Sequence, residues 1–134
     1  MTVSCFAKAE DTNFTKCGLD KLNVTEVSLS PYPVTPGSTL SVKISGGPTA
    51  VAVQGGNATL ALKVFGATLF FEVFDICTQF GVTCPVQKGA KWTGEIKQDI
   101  PKDAPTGIPV QAEVNIRDSD KKNLSCIDMI ITAE

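Results

Sequence analysis

The stretch Ile108-Pro109-Val110-Gln111-Ala112-Glu113-Val114-Asn115-Ile116-Arg117 alternates an apolar residue with a polar residue or a proline. A period of two is typical of a β-strand that has one buried face and one face in water. The same period recurs in residues 39–45, where Leu40, Val42 and Ile44 are separated by serine and lysine. Both stretches are therefore predicted to be strands that cover one hydrophobic core.

Further strands are predicted over residues 24–29, 59–65, 68–76, 92–100 and 124–132. Turn-forming residues such as Pro36-Gly37 and Gly55-Gly56 separate them. No window of ten residues shows the 3.6-residue period of an amphipathic helix. About seven short strands joined by turns indicate an all-β sandwich or barrel.

The composition excludes several classes of function. The 134 residues favour a single domain, which we assign to residues 1–134. The chain has no histidine, which removes Ser-His-Asp and Cys-His catalysis, and its formal net charge of -2 gives no reason to expect a nucleic acid partner. We therefore expect a protein that is not an enzyme and that needs no cofactor or metal.

Cysteines and glycosylation sequons point to the secretory pathway. Five cysteines leave several pairings open. The spacing of Cys77 and Cys84 suggests a local bridge, and a bridge between Cys17 and Cys126 could join the two ends of the chain. The acceptor sequons begin at Asn13, Asn23, Asn57 and Asn123. No signal peptide is visible in the first residues, and we expect one to precede this sequence in the precursor.

Four features resemble the family of MD-2-related lipid-recognition (ML) domains. They are the segment Cys84-Pro85-Val86-Gln87-Lys88-Gly89, the pair Cys17-Gly18, the run over residues 27–34 and Cys126 in the last predicted strand. The resemblance covers residues 17–131, includes Niemann-Pick type C2-like and phosphatidylglycerol/phosphatidylinositol transfer proteins, and is strongest to the plant-like branch. Residues 32–36 lack the further cysteine of the animal sterol carriers, so sterol specificity does not carry over.

The resemblance implies a fold, a pairing of cysteines and a ligand. It implies an immunoglobulin-like sandwich of two antiparallel sheets, splayed apart to hold a phospholipid or sterol. It also implies the disulfides Cys17–Cys126 and Cys77–Cys84. Cys5 has no counterpart in the family pattern, and we expect it in a flexible leader over residues 1–16, either free or paired with another chain. We expect a protein that is secreted or lies in an endo-lysosomal or vacuolar lumen, touches membranes transiently, and hands lipid to a receptor or transporter.

Alternation along the strands predicts which residues face the lipid. The predicted inward set consists of Val42, Ile44, Leu60, Leu62, Val64, Leu69, Phe71, Val73, Trp92, Ile96, Val110, Ala112, Val114 and Ile116. The resemblance places the cavity mouth beside Phe70 and the proline-rich loop over residues 100–107, with Pro101, Ala104 and Pro105 on the rim. In that loop Lys102 is either a partner for a lipid phosphate or a solvated lysine.

Two alternatives stay open from the sequence alone. The strand over residues 68–76 is apolar on both faces, which suits either a central core strand or a wall in contact with ligand. The second alternative concerns function, because an immunoglobulin-like adhesion or co-receptor module would have the same strands around a filled core.

Overall fold

The computed structural model describes residues 8–11, 13–32 and 34–134, and these residues form nine strands in two antiparallel sheets. The strands are β1 (Lys8–Asp11), β2 (Thr15–Asp20), β3 (Val24–Tyr32), β4 (Thr39–Gly46), β5 (Gly56–Val64), β6 (Ala67–Asp75), β7 (Trp92–Asp99), β8 (Pro109–Asp118) and β9 (Asn123–Thr132). One sheet has the order β1-β3-β4-β7 and the other has the order β2-β9-β8-β5-β6. The predicted all-β sandwich is confirmed.

The seven predicted strands all form, and β1 and β2 are additional to them. Both additional strands lie at the edges of their sheets, where β1 pairs with β3 and β2 pairs with β9. The sequence of β2, Thr15-Lys16-Cys17-Gly18-Leu19-Asp20, has no apolar alternation, and this strand buries little of its surface. The pattern that predicts a half-buried strand is therefore missing. Cys5 and the first seven residues lie outside the described part of the chain.

No helix among the described residues has the length and hydropathy needed to cross a membrane.

The core consists of apolar side chains between the two sheets, as the alternation predicts. In β8 the residues Ala112, Val114 and Ile116 are buried, and Val42 and Ile44 of β4 face them from the opposite sheet.

Alternation predicts the wrong face for Phe71 and Val73 of β6. These side chains lie on the outer face and are 60% and 46% exposed. The pairing between β5 and β6 shifts by one residue, because Leu62 lies opposite Phe70 and Lys63 lies opposite Thr68. Leu69 is the extra residue of this β-bulge, and a bulge reverses the parity of the strand that contains it. Phe70 and Phe74 therefore turn inward.

Two disulfides fix the sandwich at different scales, and both have the predicted pairing. Cys17–Cys126 joins β2 to β9 across a sequence separation of 109 residues. Cys77–Cys84 closes a local loop after β6 with a separation of seven residues. Disulfides of this kind fit an oxidising compartment, such as the exterior of the cell or an organelle lumen.

Candidate functional site: an apolar cavity between the sheets

An apolar cavity of about 370 Å³ opens between β6 of one sheet and β7 of the other. It lies at the end of the sandwich where β8 begins and β9 ends. Three polar residues, Gln98, Asp99 and Asp103, belong to its wall, and the rest of the wall is apolar. The apolar wall consists of Val34, Leu40, Leu62, Val64, Leu69, Phe70, Ile100, Pro101, Ala104, Pro105, Val110, Ile131 and Ala133.

The hairpin of β5 and β6 forms one wall. Leu62 and Phe70 are paired across the two strands and point toward the cavity together. Because of the bulge, Leu69 also reaches the cavity, although alternation alone would place it on the opposite face from Phe70. Leu69 is 66% exposed, so it stands at the mouth rather than in the interior.

The loop between β7 and β8 forms the other side of the mouth. Its first residue is held by two backbone hydrogen bonds: Ile100 N–H donates to Ser38 O over 2.8 Å, and Gly37 N–H donates to Ile100 O over 2.9 Å. At its far end Gly107 N–H donates to Ala133 O over 2.9 Å. Since both ends are anchored and prolines restrict the backbone between them, the rim is a fixed feature of the fold.

The C-terminal segment closes the side of the cavity away from the mouth. Val34 and Ala133 form a parallel bridge, and Glu134 N–H donates to Val34 O over 2.8 Å. Val34 and Ala133 are buried and line the cavity. These contacts join the segment after β3 to the segment after β9, on the side of the cavity away from β6 and the β7–β8 loop.

The charged groups of the mouth are mostly acidic. Asp99 accepts a hydrogen bond from Thr39 Oγ1 over 2.8 Å, and Asp103 is exposed on the loop. Lys102 is exposed beside them. Gln98 Nε2 donates to the carbonyl oxygen of Asp99 over 3.1 Å. Asp99 and Asp103 are therefore exposed, Gln98 is partly buried in the wall, and the rest of the wall is hydrocarbon.

The opposite end of the sandwich is filled. Trp92 packs near Phe80, with 6.3 Å between ring centroids, and its indole N–H donates to Leu22 O over 2.8 Å. The void between these side chains has a volume of about 10 Å³. The cavity is therefore a blind pocket rather than a tunnel through the molecule.

The loop that carries Phe80 begins at Asp75, where hydrogen bonds from the backbone amides of Thr78 and Cys77 lower the pKa of the Asp75 carboxyl group.

The structure divides the predicted ligand-contact residues into three groups. Those that line the cavity are Leu62, Val64, Leu69, Phe70, Pro101, Ala104, Pro105 and Val110. Those that lie in the closed core or at the filled end are Val42, Ile44, Leu60, Trp92, Ile96, Ala112, Val114 and Ile116. The remaining two, Phe71 and Val73, face outward.

The sequence does not predict six residues of the cavity wall, which are Val34, Leu40, Gln98, Asp99, Ile131 and Ala133. Ile100 and Asp103 also line the cavity, and they belong to the loop over residues 100–107 that the resemblance places at the mouth. Leu40 belongs to the alternating apolar row over residues 39–45, and Ile131 lies in the predicted last strand, so the alternation could have indicated both as inward-facing. Alternation assigns a residue to a face, but the position along the strand at which the two sheets separate depends on contacts between distant segments.

The four sequon asparagines differ in their surroundings. Asn13, Asn57 and Asn123 are exposed. Asn23 is only partly exposed, and its side-chain Nδ2 donates to Gly47 O over 2.9 Å. A glycan on Asn23 would replace one hydrogen of this amide, so Asn23 is less suited to modification than the other three.

Comparisons with known proteins agree with this architecture. The structure is similar to a Niemann-Pick type C2 protein from Japanese carpenter ant, with a TM-score of 0.76 and 16% sequence identity over 91% of this chain and 99% of that one. It is also similar to chicken MD-1, solved in complex with lipid IVa, with a TM-score of 0.59 and 13% identity over 94% of this chain and 98% of that one. At these identities the likeness concerns the fold.

Sequence comparison adds a relative and a family. A putative phosphatidylglycerol/phosphatidylinositol transfer protein 1 of Dictyostelium discoideum is 38% identical over 55 residues, which cover 41% of this chain and 36% of that protein. The matched stretch is therefore about a third of the relative's length. The ML domain family matches residues 11–133, nearly the whole sandwich. With the two sheets, the two disulfides and the cavity between the sheets, this match shows that the chain belongs to the ML domain family, a family of lipid-binding and lipid-transfer proteins.

Proposed function

We propose that the protein carries a phospholipid or a sterol, with the hydrocarbon part in the cavity between the sheets and the polar part at the mouth. One observation carries this proposal: the cavity wall is apolar except for Gln98 and Asp99 of β7 and Asp103 of the rim loop. A cavity of about 370 Å³ lies in the range of about 300–1,000 Å³ that small-molecule sites occupy.

The affinity follows from the hydrophobic effect. Transfer of hydrocarbon from water to an apolar wall is favourable by about 25 cal/mol for each Å² of surface removed. Several hundred Å² of buried acyl chain then supports micromolar binding or tighter, without a specific hydrogen bond. The two aspartates at the mouth favour a neutral or zwitterionic headgroup over an anionic one.

The carrier would act outside the cytoplasm. Two disulfides and three exposed sequon asparagines, Asn13, Asn57 and Asn123, support a secreted or luminal glycoprotein. Such a carrier takes its lipid from one membrane during a transient contact. It delivers the lipid to another membrane or to a receptor or transporter.

The test compares two valines in different places. Val64→Trp places a large ring in the cavity, whereas Val114→Trp places the same ring in the closed core, where Val114 is fully buried. The probe is a fluorescent acyl-chain lipid below the concentration at which it forms micelles. We expect Val64→Trp to weaken binding about tenfold or more, because apolar contact with the probe is lost.

The control is the denaturant midpoint. Val64→Trp should leave the midpoint close to that of the wild type, whereas Val114→Trp should lower the free energy of unfolding by about 1–3 kcal/mol through overpacking. If Val114→Trp does not fold, Val114→Leu gives the same comparison with a smaller change. A wild type that binds no probe, together with a strongly destabilised Val64→Trp, would favour an adhesion module with a filled core.

A further inference from the structure

The tip of the β5–β6 hairpin exposes a large aromatic side chain that folding does not explain. The turn consists of Phe65 and Gly66, whose φ angles are 51° and 82°. Two positive φ angles in a two-residue hairpin define a type I′ turn, which favours Asn-Gly. A bulky apolar residue is uncommon at positive φ. Phe65 is also 88% exposed, so its ring gains little from packing.

This ring is continuous with the wall of the lipid cavity. Val64, which precedes Phe65, lines the cavity, and so does Leu69, which is 66% exposed at the mouth. The sequence from Val64 to Phe71 contains no charged residue. An uncharged, largely apolar projection therefore extends from the cavity mouth into solvent.

The charges around the projection do not favour an anionic partner. Across the mouth, Lys102 is accompanied by Asp99 and Asp103. On the hairpin itself, Lys63 Nζ lies 3.6 Å from a carboxylate oxygen of Glu113. The local charge is therefore not positive. Attraction to anionic lipid requires a cluster of Lys and Arg, and among the described residues of the mouth Lys102 is accompanied by two aspartates instead.

We propose that the β5–β6 hairpin tip is a membrane-docking element, which inserts Phe65 into the surface of a phospholipid bilayer by apolar contact and irrespective of the charge of the lipid headgroups. The inference rests on the proposed lipid-carrier function, because it brings the cavity mouth to the membrane from which the lipid comes. Insertion of Phe65 would place Leu69 and the open side of the cavity at the level of the headgroups. A lipid chain could then move between bilayer and cavity with little exposure to water.

The decisive variant is Phe65→Asn. Asparagine is favoured at this position of a type I′ turn, so the denaturant midpoint should be unchanged or raised. Binding to extruded vesicles of pure phosphatidylcholine should fall about tenfold or more, since a buried phenylalanine side chain contributes about 1.5–3 kcal/mol. The matched control is Leu19→Asn, which removes an exposed apolar side chain from β2 and should bind vesicles like the wild type.

Salt and lipid composition test the mode of docking. Binding of the wild type to phosphatidylcholine vesicles should persist in about 1 M salt, where the Debye length is about 3 Å. Addition of phosphatidylglycerol to the vesicles should not strengthen it. In Phe65→Trp, brominated phosphatidylcholine should quench the new tryptophan, while Trp92 stays buried at the filled end of the sandwich.

Three results would overturn the proposal. One is vesicle binding by Phe65→Asn that equals the wild type. Another is wild-type binding that requires anionic lipid and disappears in salt. The third is a change of sedimentation coefficient in Phe65→Asn without vesicles, which would make the tip a contact between copies of this chain. Uptake of a monomeric acyl-chain probe is measured separately. A wild type that takes up no probe but still binds vesicles would refute the carrier function and would leave the docking of the hairpin tip supported.

Discussion

A single carboxylate, Asp20, joins β2, β3 and β9 at the level of individual residues. It accepts hydrogen bonds from Val24 N–H over 3.1 Å and from Ser125 Oγ over 2.8 Å, and Lys16 Nζ lies 2.6 Å away. Partial burial alone would raise the pKa of Asp20, but the hydrogen bonds from Lys16, Val24 and Ser125 outweigh it and lower the pKa below its ordinary value of 3.8. Asp20 is therefore ionised at neutral and at mildly acidic pH.

The stability contributed by Asp20 should depend on pH in one direction. Because the folded-state pKa is lowered, the contribution is fully present above the unfolded pKa of about 3.8 and is lost as the pH falls through the folded pKa. We expect Asp20→Asn to lower the free energy of unfolding by about 1–3 kcal/mol at pH 7 and at pH 5 alike. Urea melts of both proteins at several pH values check this. A difference that already shrinks between pH 7 and pH 5 would contradict the assignment.

Gly94 is a second residue whose identity is set by its contacts, because its missing side chain leaves the space that the Phe80 ring occupies at the filled end of the sandwich. A Cβ atom on Gly94 would clash with a ring carbon of Phe80, which is buried near Trp92. Gly94→Ala should therefore displace Phe80 and lower the free energy of unfolding by about 1–3 kcal/mol. Gly18→Ala is the control, because its nearest neighbour would be at an ordinary 3.5 Å. Equal midpoints for the two variants would show that the Phe80 packing is looser than described.

At the scale of elements, the two disulfides should differ in their contribution to stability. In the chain-entropy model, the Cys17–Cys126 bridge, which spans a separation of 109 residues, contributes about 4–5 kcal/mol, whereas the short Cys77–Cys84 loop contributes about 2–3 kcal/mol. Replacing each pair by alanine and comparing denaturant midpoints tests this order. A larger loss for the Cys77–Cys84 pair would show that its loop, which carries Phe80, stabilises the sandwich mainly by packing.

The strands also show what a sequence can predict. The unbroken alternation of β8 correctly predicts both the strand and its buried row, Ala112, Val114 and Ile116. In β6 the same reasoning fails for Phe71 and Val73. The β-bulge at Leu69 reverses which residues of the strand face inward, and no local residue pattern predicts this bulge. β2 is not predicted from the sequence, because an edge strand held by a disulfide needs no apolar face and therefore shows no apolar alternation.

At the scale of the whole molecule, the family resemblance predicts a cavity between the sheets but not its extent. Val114 and Ile96 were expected to touch lipid, yet they fill a closed core. The cavity is instead confined to one end, where the β7–β8 loop is tied to residues 37 and 38 and to Ala133. These contacts connect segments that are distant in sequence, so the position of the mouth follows from tertiary packing and not from the pattern within any strand.

If the cavity holds lipid, the purified protein should contain lipid, and the lipid content of the protein can be measured. The protein is produced in a eukaryotic secretory host, purified without detergent, and extracted with organic solvent for mass spectrometry, beside Val64→Trp purified in the same way. We predict close to one lipid molecule for each wild-type chain, with a neutral or zwitterionic headgroup, and a several-fold lower content in Val64→Trp. A wild-type extract with no more lipid than a Val64→Trp extract of equal protein content would contradict the account.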